Sequence, residues 1–359
     1  MNTKKIMAAI LVSALILTGC NKVPDETSST NTINTSSIES SEVTQTEATT
    51  EETAETTQEP FEFNPHPYSS ILAQEIPQDY WDSFYNLCDA LRKGEDTFQC
   101  SSQEAYNWAT DVGVLCDLFP PAGAKIEGKS TDGSPAFENG TGKIRYKMPV
   151  EDFLKRESDF EVLITDILNS TIEKDDSEYE RALKLYLYVA KNFVYDTSLI
   201  DKMGDDENFV YACFMEKRGQ CVNFASVYAY LLLQADIDAV SYRIYEDLCH
   251  AWTYAVIDGK GYHIDTTWAL QAEGVDGIYL DYFMMSDKDR IADGCTLTDP
   301  DVTLLPECNV NKTNVKFEAT DEQYCIRDYC RFVSLDEEKK AVHYVDLYNE
   351  PKEFYYGDI

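Results

Sequence analysis

The sequence predicts an α+β fold: a central buried helix packed on an antiparallel sheet, preceded by a helical subdomain. Three observations carry that reading. Residues 221–233, CVNFASVYAYLLL, are apolar on almost every face and so belong inside a globule. Directly afterwards the apolar period changes from 3.6 to 2 over three consecutive segments, the mark of strands joined in series. Before residue 170, by contrast, apolar side chains recur mostly at helical spacing.

Composition sets the outer bounds. A chain of 359 residues has room for one large or two modest domains, and 43% hydrophobic with 12% aromatic residues supplies a core. Sixty-five acidic residues stand against 30 basic ones, a net charge of −35. Such a chain repels a phosphate backbone, and no local Lys/Arg cluster offsets this, so nucleic acid is set aside as a partner. At the N-terminus, Lys4 and Lys5 precede an apolar run over residues 6–17, which is a secretory signal too short for a comfortable membrane span. Its last residues, Leu17-Thr18-Gly19-Cys20, resemble the bacterial lipoprotein box. That resemblance implies removal of residues 1–19 and lipidation of Cys20. The mature protein is then an exported lipoprotein, anchored to the cell membrane and facing outside the cytoplasm. Residues 20–60 are Ser, Thr, Glu and Asn with few aliphatics, a composition that cannot offset the entropy of ordering and reads as a disordered tether.

The folded part starts at residue 61. Trp81, Phe84, Tyr85, Cys88 and Leu91 fall on one helical face, and Gly94 is placed to stop that helix. Ser101-Ser102-Gln103-Glu104 is a capping-box pattern before a second helix carrying Ala105, Trp108, Val112, Cys116 and Phe119, halted by Pro120-Pro121. A Gly/Ser-rich stretch to Gly142 reads as loop with short strands, and residues 144–148 alternate as a strand does. Pro149 opens a helical segment through Phe153, Phe160, Ile164 and Ile167. Residues 61–170 thus form a mainly helical subdomain in which no catalytic pattern is visible.

The core follows over residues 171–294. Ser177 and Glu180 cap a helix with Tyr179, Leu183, Tyr186 and Ala190 on one face. A polar loop through residues 203–206, a short amphipathic piece at 209–215 and a Lys217-Arg218-Gly219 turn deliver Cys221 to the start of the buried helix. Strands are expected at 239–245, 249–257 and 262–268, with Asp258-Gly259 as the hairpin turn between the last two. Beyond 295 lies a β-rich extension to 359, with two strands about the charged residues 336–340.

A thiol in the first turn of a buried helix lies at the positive end of the helix dipole, which favours the nucleophilic thiolate. Taken alone, Cys221 is most simply a small core residue. Its standing changes with the hairpin. A two-residue turn at 258–259 pairs residue i with 517 minus i, which sets His250 opposite Thr267 and puts Asp265 on the same face, at a diagonal. His263 shares that face and is the alternative base. Cys249 is expected on the opposite face and buried. A Cys–His–Asp set has a definite logic: the imidazole moves the thiol proton, the carboxylate orients the imidazole, and a backbone N–H at the helix start receives the oxyanion. The second oxyanion donor is not readable from spacing. Trp252 and Trp268 read as core aromatics, with Trp268 in reach of the site. The other cysteines show no CxxC and no zinc-finger spacing. Cys325 with Cys330 is a candidate pair, but no disulfide is assigned, and no metal or cofactor is assigned either.

Gly219-Gln220-Cys221-Val222-Asn223-Phe224-Ala225, then His250-Ala251-Trp252, then Tyr262-His263-Ile264-Asp265-Thr266-Thr267-Trp268 resemble the transglutaminase-like superfamily. The resemblance spans about residues 178 to 290. Val194-Tyr195-Asp196 and Tyr282-Phe283-Met284-Met285-Ser286-Asp287 match the flanks of that core. It implies a papain-like core with Cys221 as nucleophile, His250 as base (the HAW match falls there) and Asp265 as orienting acid. Val222 stands where tissue-type transglutaminases carry an aromatic residue. Their calcium-binding features and accessory β-domains are not evident. The resemblance therefore implies cysteine-dependent acyl chemistry on a protein or peptide substrate through a thioester, with hydrolysis favoured over crosslinking. The alternatives are a non-catalytic binding or structural module that keeps the fold, and a lipid-anchored solute-binding protein.

Overall fold

The computed structural model describes residues 59–127, 136–202, 210–244, 249–270, 277–297, 301–302, 304–305 and 315–357. The signal segment, Cys20, nearly all of the tether, the 203–206 loop and Cys308 lie outside the described residues. Among those that are described, no helix is long and apolar enough to cross a membrane.

The chain begins with α1 (Gln78–Lys93), which Gly94 ends in a left-handed conformation at φ 69°, and β1 (Thr97–Gln99). The second helix differs from the expectation in two ways. Ser102 alone caps it, accepting from Ala105 N, so no capping box forms. It also breaks into α2 (Gln103–Ala109) and α3 (Val112–Leu118), because Asp111 accepts from the N–H groups of Gly113 and Val114 and starts a new helix. Short strands follow: β2 (Ile126–Glu127), β3 (Phe137–Glu138), β4 (Thr141–Lys143) and β5 (Arg145–Tyr146). The alternation at 144–148 yields only the two-residue β5. Then come α4 (Val150–Thr171), α5 (Glu178–Asn192) with its Ser177/Glu180 capping box, β6 (Val194–Tyr195), α6 (Val210–Glu216) and β7 (Arg218–Gly219).

The centre is α7 (Cys221–Gln234), buried from Asn223 to Gln234. It packs on β8 (Asp238–Ile244) and β9 (His250–Ile257), which with β10 (Lys260–Ile264) make an antiparallel sheet of order β10-β9-β8. The hairpin turn is as the dipeptide predicts: Asp258 and Gly259 have φ of 51° and 74°, and Lys260 pairs with Ile257. The third strand is shorter than expected. It stops at Ile264, because Asp265 leaves the strand to cap α8 (Thr266–Ala269). After it come α9 (Asp287–Ala292) and a separate sheet of β11 (Arg331–Asp336), β12 (Ala341–Val345) and β13 (Pro351–Tyr355). Of these three strands the last was not legible, since it opens with a proline.

Side-chain alternation across the central sheet divides the core. Ala239, Ala255, Ile257, Tyr262 and Ile264 face α5 and α7. Val240, Tyr242, Ile244, Trp252 and Tyr254 face the apolar side chains of α1–α3. The N-terminal helices therefore cover the sheet face that α7 leaves open. Thr253 Oγ1 donates to Ala225 O at 2.8 Å and Tyr228 OH to Ala182 O at 2.8 Å, which ties α7 to β9 and to α5.

Candidate active site

Cys221 is held at the start of α7 by the backbone on both sides. β6 and β7 pair in parallel: Val194 N donates to Lys217 O and Asp196 N to Gly219 O, each at 2.9 Å. The Asp196 carboxylate also takes Arg218 Nη1 at 3.0 Å. Gly219 has no room for a side chain, since a Cβ there would lie 2.8 Å from Cys213 Sγ and 2.9 Å from Asn223 Cβ. Gln220 is extended and donates its N–H to Asn223 Oδ1 at 2.9 Å, so the helix begins at the cysteine. The Tyr195 ring lies edge-on to Phe224 at 6.2 Å.

His250 is the first residue of β9, at the end of the sheet that the N-terminus of α7 reaches. Its ring is 7% exposed, and Nε2 lies 2.7 Å from Asp265 Oδ2. The other ring nitrogen, Nδ1, is not used by Asp265, and the Cys221 thiol lies close enough to His250 and to the backbone N–H of Ala251 for both to act on its ionisation. Asp265 is fully buried and uses both oxygens. Oδ2 meets His250, while Oδ1 accepts from Thr267 N at 3.0 Å and Trp268 N at 3.1 Å. One residue thus ends a strand, caps a short helix and orients an imidazole. The sequence places His250 and Asp265 on one face, and they do meet. They meet because Asp265 turns out of the strand, so Thr267 is not the cross-strand partner of His250.

The charges follow from these contacts. Burial pushes the Cys221 thiol up, but the His250 hydrogen bond and charge and the Ala251 N–H bring it below its ordinary value. For His250, burial alone would favour the neutral ring. The Asp265 carboxylate and the Cys221 contact outweigh it and push the imidazole up to about 9. Burial likewise opposes ionisation of Asp265, yet His250, Arg290 and the Trp268 N–H hold it below the usual carboxylate range. The arrangement favours a thiolate–imidazolium pair.

His263, the alternative base, is engaged elsewhere. It is fully buried, its Nδ1 accepts from Trp252 Nε1 at 2.9 Å and its Nε2 lies 2.9 Å from Asp287 Oδ1. Burial lowers its pKa, which keeps the ring neutral with its proton on Nε2. The Tyr282–Asp287 flank runs along the β10 edge, with His263 and Met285 exchanging backbone hydrogen bonds of 2.9 and 2.8 Å and Asp265 N donating to Tyr282 O at 2.8 Å.

Two further residues line the site, Trp268, expected in reach of it, and Arg290, which was not readable in advance. Trp268 stacks on the His250 ring, with centroids 4.8 Å apart and planes 11° off parallel, which goes beyond the core role expected of it. Arg290 of α9 is fully buried, 3.3 Å from Asp265 Oδ2. No short motif marks an arginine 25 residues after its partner. Cys249 corrects an expectation: it is exposed, because it precedes the first residue of β9 and lies outside the sheet. Cys325 and Cys330 are both free thiols, and Cys330 Sγ donates to Arg327 O at 3.0 Å. Among the described residues no three His, Cys, Asp or Glu side chains are grouped to hold a metal ion.

The transglutaminase-like superfamily matches residues 165–266, a span that includes Cys221, His250 and Asp265. The chain therefore carries a transglutaminase-like domain there. Among solved structures, one assigned as a cysteine protease from Cytophaga hutchinsonii is similar at 17% identity with a TM-score of 0.24, over 33% of this chain and 40% of that one. Another, described as a TGase, is similar at 21% identity with a TM-score of 0.27, over 34% of each chain. This chain thus spans less than half of either. No curated protein matches it.

Proposed function

We propose that the protein is a cysteine-dependent enzyme that cleaves amides of a peptide or protein through a thioester on Cys221. The observation that carries this reading is the placement of the Cys221 thiol beside His250, whose imidazole acts on it and lies 2.7 Å from Asp265. The Cys221 thiolate adds to the amide carbonyl carbon. Its oxyanion is met by the Cys221 backbone N–H at the first turn of α7, where the helix dipole adds to the effect. The His250 imidazolium then gives its proton to the departing nitrogen, the C–N bond breaks and the amine leaves. Neutral His250 next takes a proton from water, whose oxygen attacks the thioester and releases the acid and the thiol. Asp265 stays ionised throughout and holds Nε2.

Hydrolysis is favoured over crosslinking because an amine acceptor needs a site that excludes water and holds the amine. The reading includes export and membrane anchoring through acyl chains on Cys20, with residues 20–60 holding the enzyme away from the bilayer. The test offers the full chain a glutamine-containing peptide together with a labelled primary amine. Peptide or side-chain amide hydrolysis that disappears in Cys221→Ala supports the proposal. Amine incorporation at the glutamine would replace hydrolysis by crosslinking. An unmodified peptide across a broad panel would leave a non-catalytic module as the better account.

A further inference from the structure

Arg290 presents a physical problem that the proposed reaction leaves unanswered. A guanidinium with no solvent exposure is expensive to bury unless its charge is compensated. It is reached by an indirect route. Ser286 caps α9 by accepting from Asp289 N, and the preceding flank is fastened to the β10 edge through Met285 and His263. One turn later Arg290 enters between two indoles, 4.2 Å from the Trp252 ring and 4.6 Å from the Trp268 ring. Nη2 lies 3.3 Å from Asp265 Oδ2, and Nη1 lies 3.7 Å from Asp293 Oδ2.

Two features separate this from a generic buried ion pair. First, Nη2 makes no hydrogen bond to Asp265 despite its closeness, and Nε is unpartnered as well. Arg290 therefore adds charge without competing with His250 for Oδ2, whose lone pair the imidazole holds at 2.7 Å. Second, the ring near the guanidinium is the one that stacks on His250: Trp268 is in contact with both Arg290 and the imidazole. We propose that Arg290 is a positioning residue for the Cys221–His250–Asp265 site, which holds Asp265 as a carboxylate and keeps the Trp268 ring against His250. This rests on the proposed function.

The other ionisable groups near the pair do not supply that charge. Around Asp265 these are His250, Cys221, the Tyr186 and Tyr282 phenols and Cys295. The two phenols and Cys295 are pushed up, in each case mainly by burial, and stay neutral. Around Arg290 lie also Tyr242, pushed up by burial, neutral His263 and the Asp293 carboxylate, which Arg327 Nη2 meets at 2.5 Å. Among the described residues, His250 and Arg290 are the cations that most affect Asp265, and His250 gives up its proton during the reaction. Arg290 is the cation that remains.

The experiment measures the rate of Cys221 carboxamidomethylation by iodoacetamide in the full chain between pH 4 and 10, by peptide mass spectrometry. The variants are Arg290→Gln, Arg290→Lys and Asp293→Asn. Losing the cation 3.3 Å away lets Asp265 take a proton more readily, which weakens the imidazolium and then the thiolate. Arg290→Gln should move the acid limb of the profile upward by about one pH unit, or about tenfold in rate below the limb. Arg290→Lys keeps the charge and should recover at least half of that shift, which a purely structural role would not require. Asp293→Asn removes the competing carboxylate and should move the limb down by several tenths of a unit. A folded Arg290→Gln with the wild-type limb overturns the inference. If Arg290→Gln does not fold, an unmoved limb in Asp293→Asn overturns it instead. A wild-type Cys221 no more reactive than Cys249 would sink the proposed function itself, whereas a reactive Cys221 with unmoved limbs sinks only the role of Arg290.

Discussion

Replacing His250 with alanine tests the pairing that organises the site. Three influences hold the Cys221 thiol below its ordinary value, namely the His250 hydrogen bond, its charge and the Ala251 N–H, against burial and the Asp265 carboxylate. Removing the imidazole leaves burial and a negative neighbour with one backbone donor in opposition, so the thiol rises above an ordinary cysteine. A thiol at about 8.5 is roughly 3% thiolate at pH 7, so a thiol raised beyond that value keeps still less of the nucleophilic form. Part of that loss returns because a more basic thiolate is intrinsically more nucleophilic, with a Brønsted slope of about 0.4–0.5. Once the pKa lies above pH 7, the net loss is about tenfold for every two further units. Alkylation of Cys221 by iodoacetamide at pH 7, read peptide by peptide, should therefore slow in His250→Ala, by roughly threefold for each unit that the thiol rises above pH 7. Exposed Cys249 provides an internal rate reference in the wild-type chain. Equal rates for Cys221 in the two proteins, or a wild-type Cys221 slower than Cys249, would refute the reasoning.

Asp265 is the main influence raising His250, so the thiolate–imidazolium pair persists up to about pH 9 and the leaving-group acid is lost above it. kcat/KM should fall above that point, and in Asp265→Asn the basic limb should move down toward the ordinary histidine value of about 6.5. Glu157 is buried beside Glu161 and Arg92 and pushed up to about 8, chiefly by burial. Its folded pKa exceeds its unfolded one, so the folded state binds the extra proton and stability falls as pH rises from about 4.5 through about 8. Glu157→Gln should gain about 1 kcal/mol above pH 8, after allowance for screening by the partly exposed Arg92, and nothing at pH 4, as read by thermal denaturation. Glu180 has the opposite sign. Burial opposes it, but Lys340, the Tyr356 hydroxyl and Ser177 hold it down to about 2. Its contribution is present above its unfolded value of about 4.5 and disappears as pH falls through about 2. Glu180→Gln should cost about 1–3 kcal/mol at pH 7 and speed hydrogen exchange in β12, next to which Lys340 lies.

Periodicity was enough to place α1, α4, α5 and α7, because each buries a stripe or a whole surface, and Gly94, Pro149 and Ser177 stand at the ends where they were expected. The register of the β9–β10 hairpin followed from one dipeptide, since Asp258-Gly259 supplies the two positive φ values that a two-residue turn needs. What was missed depended on side chains competing for backbone donors. Asp111 and Asp265 each take two N–H groups from the residues that follow, which divides one expected helix and shortens one expected strand. Arg290, and the stacking that puts Trp268 on the His250 ring and not merely in reach of the site, were missed for another reason. Their roles come from tertiary contacts between β9, β10, α8 and α9, and no local spacing encodes these. Cys249 was misplaced because strand alternation was extended one residue past the start of β9.

The central claim is that acyl groups pass through Cys221, and a burst experiment tests it most directly. The full chain is mixed with an excess of an activated acyl ester, such as a p-nitrophenyl ester, at pH 7. Released phenolate is followed, and the modified peptide is identified by mass spectrometry. The account predicts a burst of one equivalent of phenolate and an acyl group on Cys221 that hydroxylamine removes. It also predicts that Cys221→Ala abolishes the burst and that His250→Ala slows it. Acylation spread over the accessible cysteines and lysines, with no burst and no effect of Cys221→Ala, would contradict the account.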